Sequence, residues 1–334
     1  MVGQASAALE AALTWVKRIG VEPEAAEPSL VAAIALVPSV VAGVIFFGLD
    51  ALAVLGIALA AGLLAHVAAR LLGQPLDGTP IVPAFVGVAL VGSGAPLTWA
   101  LAVAVVAAAF ELGRTRYVPA ARLQVGILAY AVVLVLSRGG PGVYVAPGGG
   151  PSAEPVRQWL AGGGHAQLDP VRLYVGNVAG PVLATSMLAV AVGAAWLWYS
   201  RRLSLLVVLT FLVGALVPIA VERWSVGYQL DSGPLWFAAA LVLADRRTLP
   251  ASGVGRPLLG FLTGAAALAA RTRGLAIEAS LAAVAWMQVL SVVVQGLNWV
   301  RGHREETWTR LRELRGVALT LGRPHRPRPA QPPS

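Results

Sequence analysis

The chain contains no cysteine. Disulfides, thiolate metal sites, iron–sulfur clusters held by Cys and cysteine nucleophiles are therefore excluded. Charge is scarce as well. Only 12% of residues are Asp, Glu, Lys or Arg, against about 25% in an average soluble domain. The local signatures of soluble enzymes are missing too: there is no phosphate-loop pattern, no HExxH pair and no serine nucleophile elbow. What fills the 334 residues is apolar: 57% are hydrophobic, and the mean hydropathy is +0.74. This is the composition of a polytopic membrane protein. Thirty-seven Gly and many Ala suit close helix packing in lipid. The net charge of +9 is concentrated in loops and the C-terminal tail. In a membrane protein that reads as topology and contact with anionic lipid, not as nucleic-acid binding.

One apolar stretch is too short to cross a bilayer. Leu235–Leu243 has nine residues, whereas a spanning helix needs about 20. Asp231, Ser232, Gly233 and Pro234 precede it, and Asp245, Arg246, Arg247, Thr248 and Pro250 follow it. An earlier twin, Ile81–Gly92, opens on Leu76-Asp77-Gly78-Thr79-Pro80. Asp77 and Asp231 are 154 residues apart. Each short run leads into a Gly-x-Pro-Leu sequence, at Gly94–Leu97 and Gly255–Leu258, and then into a longer span. Each longer span ends in Arg-Thr-Arg, at Arg114–Arg116 and Arg271–Arg273. Paired Gly/Pro-interrupted segments in two halves point to a site in a repeat-built membrane protein. The segments 77–92 and 231–250 are expected to enclose a pocket between the halves, with Trp236 and Phe237 as packing surfaces.

Ten apolar segments are expected: Leu30–Phe47, Ala51–Leu72, Ile81–Gly92, Leu97–Leu112, Leu123–Leu136, Gly180–Trp198, Leu203–Val221, Leu235–Leu243, Leu258–Ala270 and Ile277–Val294. The fold class is an all-α polytopic membrane protein, with about ten transmembrane helices in two inverted five-helix repeats. An odd number of spans per half forces the halves into opposite orientation. The organisation reads as an interfacial segment and acidic linker (1–28), a first repeat (29–136), a Gly/Pro-rich connection (137–173), a second repeat (174–295) and a basic tail (296–334). With both termini cytoplasmic, the short inner loops hold nine Arg: 70, 114, 116, 122, 201, 202, 246, 247 and 256. The short outer loops hold three, Arg223, Arg271 and Arg273. That is the direction the positive-inside rule requires, and it places the 137–172 connection outside the inner membrane. Arg301–Arg315 reads as a basic interfacial helix that meets anionic lipid.

Several polar residues stand out against this background. His66 sits inside the second span, either as a functional group or as a neutral hydrogen-bonded side chain. Glu111 and Glu222 lie at span ends, where solvated or Arg-paired carboxylates are ordinary. Asp245 with Thr248 ends the short segment beside two Arg, and either lines a site or pairs with an Arg. Asn177, Thr185 and Ser186 flank the sixth span as helix caps or as a site wall. The Gly runs at 148–150 and 162–164 read as linker in preference to a phosphate cradle.

These residues resemble a known family, RnfD/NqrB: membrane components of Rnf electron-transport complexes and of the sodium-pumping NADH:quinone oxidoreductase. The likeness runs from about Ser29 to Gln295. Tyr174–Arg202 is similar to the family's G-N-x-x-G…E-T-S…R-R segment, and Ala244–Pro250 to its A-T-D-P-V-T-S-P motif, with Asp245, Thr248 and Pro250 retained. The resemblance implies a ten-span protein with cytoplasmic termini that transfers electrons in a complex moving Na⁺ or H⁺. It also implies FMN esterified to a Thr in an external S-G-A-T sequence, and a second, noncovalent flavin.

The departures bear on function. No Thr occurs between Thr115 and Thr185, and no SGAT sequence exists, so covalent FMN is not expected. The Glu of E-T-S is Ala184, and two later polar positions are Gln288 and Gln295. Two readings follow. One is an integral subunit of an Rnf/Nqr-type complex, partnered by other membrane and peripheral subunits. It would hold a noncovalent flavin, FMN or riboflavin, at Asp245, Thr248, Pro250, Asn177, Thr185, Ser186, Asp77 and Asp231. The other is a non-redox channel, transporter or structural partner on the same scaffold.

Overall fold

The computed structural model describes residues 28–74, 80–150, 152–162, 169–231, 233–250, 253–273 and 276–302. The chain divides into residues 1–291 and residues 292–334, and in the latter 292–302 are helical. The interfacial helix expected at the N-terminus, nearly all of the basic helix expected after Val300, and Asp77 lie outside the described residues.

Regular structure among the described residues is helical, apart from two isolated β-bridges. The helices are α1 (Pro28–Phe47), α2 (Leu49–Leu71), α3 (Ile81–Ala89), α4 (Leu97–Tyr117), α5 (Val125–Leu136), α6 (Pro155–Ala161) and α7 (Pro170–Val175). They continue as α8 (Met187–Tyr199), α9 (Leu205–Val221), α10 (Val226–Leu230), α11 (Gly233–Leu243), α12 (Gly255–Ala269) and α13 (Ile277–Gly302). Residues Phe237–Leu243 of α11 are wound as a π-helix. Among the described residues, α1, α2, α4 and α13 are long and apolar enough to cross a membrane, and α5, α8, α9 and α11 are shorter apolar helices. The protein is an all-α, multi-pass membrane protein.

Small residues set how closely these helices approach. A methyl group added at Gly214 would collide with the carbonyl oxygen of Phe261, and one at Gly264 with that of Phe211. So α9 and α12 cross with their backbones nearly touching, which only the absence of Cβ permits. Phe211, Ala215, Ala267 and Leu268 fill the rest of that contact. α1 packs on α8 in the same manner, with Gly193 against the carbonyl of Ala35.

The two short helices end inside the protein, and their freed backbone groups are satisfied there. After α3, Val182 N donates to Val91 O at 2.9 Å, Ser93 N to Gly180 O at 3.1 Å, and Gly92 N to Pro141 O at 2.8 Å. After α11, Ser204 N donates to Ala244 O at 2.9 Å and Arg246 N to Arg202 O at 2.9 Å. Non-helical backbone at membrane depth is tolerable only with such partners, because each unpaired group costs several kcal/mol in hydrocarbon.

One expectation needs correcting. The helix expected from Gly180 begins at Met187. Gly176 turns the chain with a left-handed φ of 94°, and residues 180–183 pair with the 89–93 segment at the end of α3 instead of coiling. The 137–172 connection also carries two short helices not expected from the sequence. Its Gly148 and Gly149, both at positive φ, lie in a turn closed by Gly149 N donating to Ala146 O, so that N–H is already engaged. Gly163 and Gly164 lie outside the described residues.

Candidate functional site

A cavity of about 250 Å³ opens between the first-half and second-half segments. Val82 and Pro83 of α3 line one side, and Asp245, Arg247 and Thr248, just past α11, line another. Ser29 and Ala32 of α1, Glu111, Arg114 and Thr115 of α4, and residues 119 and 122–124 complete the wall. Ligand clefts usually span about 300–1,000 Å³, so this one suits a small ligand or part of a larger one.

Its charges are organised by the turns that carry them. Glu111 is held by Arg114 through both oxygens, at 2.7 Å and 2.9 Å, the i,i+3 spacing of one helical face. Of the two roles open to Glu111, ion pairing is therefore the one it adopts. Asp245 pairs with no Arg side chain among the described residues. Its Oδ1 instead accepts the backbone N–H of Arg247 at 3.0 Å, closing a tight turn. Glu111 is thus occupied, and Asp245 is the carboxylate that keeps an oxygen available to a ligand. Thr248 donates to the carbonyls of Val242 (3.2 Å) and Asp245 (2.9 Å), tying the end of α11 to the turn. Desolvation lowers the pKa of Arg247, as do the neighbouring Arg202 and Arg114 guanidinium groups, against support from Asp245. It remains a cation at any physiological pH.

The other end of α11 is different. A cavity of about 20 Å³ is lined there by Glu154, Thr185, Tyr228 and Asp231, among others. Burial pushes the Asp231 carboxyl up from its usual value. Trp159 stacks on Tyr228 at 6.2 Å and meets Trp224 edge-on at 5.6 Å, which seals this end with aromatic surface.

The eight site residues therefore do not form one constellation. Asp245 and Thr248 share the larger cavity, whereas Asp231 and Thr185 line the smaller one. Ser186 caps α8 by accepting Ala189 N at 3.1 Å, the role its position before the helix allows. Asn177 is exposed, and buried Pro250 contributes its carbonyl to Arg256 Nε at 2.9 Å. Asp77 lies outside the described residues. Phe237 is packed in the core, and Trp236 lines an apolar groove with Met187, Val190 and Ala240, so neither faces the larger cavity. His66 is half-buried in α2, its Nδ1 lacks a partner, and it lines neither cavity. Sequence reasoning missed Arg114, Arg122, Thr115 and Gln124 as cavity walls. The Arg-Thr-Arg landmark at the end of α4 was the signal available for two of them.

The cavity thus joins the two broken segments, and the retained Asp245–Thr248 turn stands on its wall. No individually curated protein matches the chain. A family model described as the NQR2, RnfD, RnfE family matches residues 24–297, more than four fifths of the sequence. On that match the chain belongs to the NQR2, RnfD, RnfE family.

Proposed function

We propose that the cavity beside Asp245 and Thr248 holds a noncovalent flavin, FMN or riboflavin. Membership of the family makes the chain a subunit of an Rnf/Nqr-type membrane electron-transport and ion-translocation complex. The observation that carries the flavin assignment is that α3 and the Asp245–Thr248 turn line the same cavity. The donor set fits the group. Val82, Pro83, Ala32 and Leu123 offer apolar surface for a flat ring, and Asp245, Thr115 and Gln124 offer hydrogen-bonding groups for its polar edge. Arg114, Arg122 and Arg247 supply positive charge for a phosphate where the ligand is FMN. A bound flavin supplies one- and two-electron transfer. The chain's own residues bind and orient it, and the Glu111–Arg114 pair fixes one wall.

The accompanying architecture is ten spans in two inverted five-helix repeats, both termini cytoplasmic. The arginine asymmetry and the packing of α1 on α8, the first apolar helix of each half, support it. Partners are other membrane and peripheral subunits of the complex, and anionic lipid at the basic tail. The absence of Thr between 115 and 185 favours a second reading, a non-redox transporter or structural component on the same scaffold. One experiment separates the two. Absorption spectra of the protein purified with its neighbouring gene products, before and after denaturation, are expected to reveal released flavin. A preparation with no flavin in either spectrum removes the redox reading.

A further inference from the structure

A separate buried polar cluster lies at the other end of α11, beneath the 137–173 connection. Glu154, the N-cap of α6, is 3% exposed, and its Oε2 accepts Arg157 N at 3.1 Å. Arg271, in the 3-10 turn Ala270–Arg273, is the largest side chain with no exposed surface. Its Nε donates to Ser280 Oγ at 2.8 Å, and its Nη1 donates to Gln229 O at 3.1 Å and Oε1 at 2.6 Å. Among the described residues its Nη2 has no partner, and neither has Gln229 Nε2. The hydroxyls of Tyr130 and Tyr144 neighbour each other, and among the described residues neither has a hydrogen-bond partner of good geometry. Glu154 and Arg271 feel each other's charge, yet among the described residues no ion pair joins them directly.

Native proteins pair roughly 90% or more of their buried polar groups, and the usual explanation for an unpaired one is water or an ion. Two unpaired nitrogens stand here on side chains bonded to each other. The cavity of about 20 Å³ lined by Glu154, Tyr228 and Asp231 exceeds the roughly 10–15 Å³ that one water requires. From this geometry we propose that the cavity beside Glu154 holds internal water and that Glu154, in the buried cluster with Arg271 and Gln229, is the acceptor of a proton-binding site. One proton passes from water to a Glu154 carboxylate oxygen. An O–H bond forms, the carboxylate becomes a neutral acid, and no electrons are exchanged.

The groups facing Glu154 set its poise. Arg271 opposes it across the cluster. Arg157 comes from α6, Tyr144 from the connection and Tyr130 from α5. Tyr228 and Gln229 come from α10, and Asp231 from the turn after it. Glu278 and Ser280 come from α13, and Glu278 is bonded to Arg157 at 2.9 Å. Burial pushes Glu154 up to about 7, Arg271 pulls it down, and Glu278 adds to the rise. The site therefore exchanges its proton near neutral pH, independently of any flavin.

Infrared difference spectra of the whole protein, recorded across a pH titration, test this. A protonated-carboxyl band is expected to grow as pH falls through about 7 and to be lost in Glu154→Gln. Arg271→Gln is expected to move the midpoint up by about one unit or more, because an opposing charge is removed. Should that variant not fold, Glu278→Gln moves the midpoint down, because a like charge is removed. Two results would overturn the proposal. One is the absence of a band near neutral pH that Glu154→Gln abolishes. The other is a midpoint that stays put in every foldable variant.

Discussion

Removing the Asp245 carboxylate is the most direct perturbation of the larger cavity. Glu111 is already held by Arg114, so Asp245 is the remaining acidic acceptor on the wall. A hydrogen bond to a charged group contributes about 1.5–3 kcal/mol, so Asp245→Ala should weaken flavin binding about 10- to 150-fold. Part of that effect is indirect, because the same carboxylate accepts Arg247 N at 3.0 Å and shapes the turn. Asp245→Asn keeps an oxygen for the turn and removes only the charge, so it should lose less. Thr248→Val leaves the carbonyls of Val242 and Asp245 without their donor, at about 1–3 kcal/mol of local stability. Thr248→Ser keeps the donor and should bind almost as the parent does. Asp231→Asn, at the far end of α11, serves as control and should leave binding unchanged. The assay is titration of FMN or riboflavin into flavin-depleted protein, followed by quenching of flavin fluorescence. Equal affinity for Asp245→Ala and the parent refutes the placement, as does a loss in Asp231→Asn as large as that in Asp245→Ala.

Other outcomes follow from the fold and the sequence. Gly264→Leu should destabilise the α9–α12 crossing by about 1–3 kcal/mol or more, seen as an earlier thermal transition in detergent, because its side chain has no space beside Phe211. An unchanged transition would mean that the helices do not approach so closely. Gly150→Cys in this cysteine-free chain should react with impermeant thiol reagents from the periplasmic side alone; labelling from the cytoplasmic side alone reverses the topology. Intact mass of the purified protein should equal that of the bare chain, and an added mass of FMN less water would reveal an attachment that the missing Thr argues against.

Composition and segment length determined the class of this protein. A chain that is 57% hydrophobic and 12% charged must bury its backbone polar groups in helices to live in lipid. The short runs Ile81–Gly92 and Leu235–Leu243 were legible because runs of this length are too short to span. The Asp245–Thr248 turn was legible too, through the polar residues that end the second run. The tertiary structure decided what those turns face. Asp231 and Asp245 flank one short helix, so they lie at opposite ends of it, and sequence proximity had grouped them as one site. Gly180–Ser186 reads as apolar and helix-compatible, yet its backbone is claimed by the 89–93 segment nearly a hundred residues away. The meeting of Glu154 with Arg271 and Gln229 is equally non-local: one Glu in a Gly/Pro-rich connection and one Arg at a helix end carry no mutual signal. Local pattern reports where a chain must coil or break, because helix formation and membrane depth depend on nearby residues. Which freed groups then meet is set by how the helices pack.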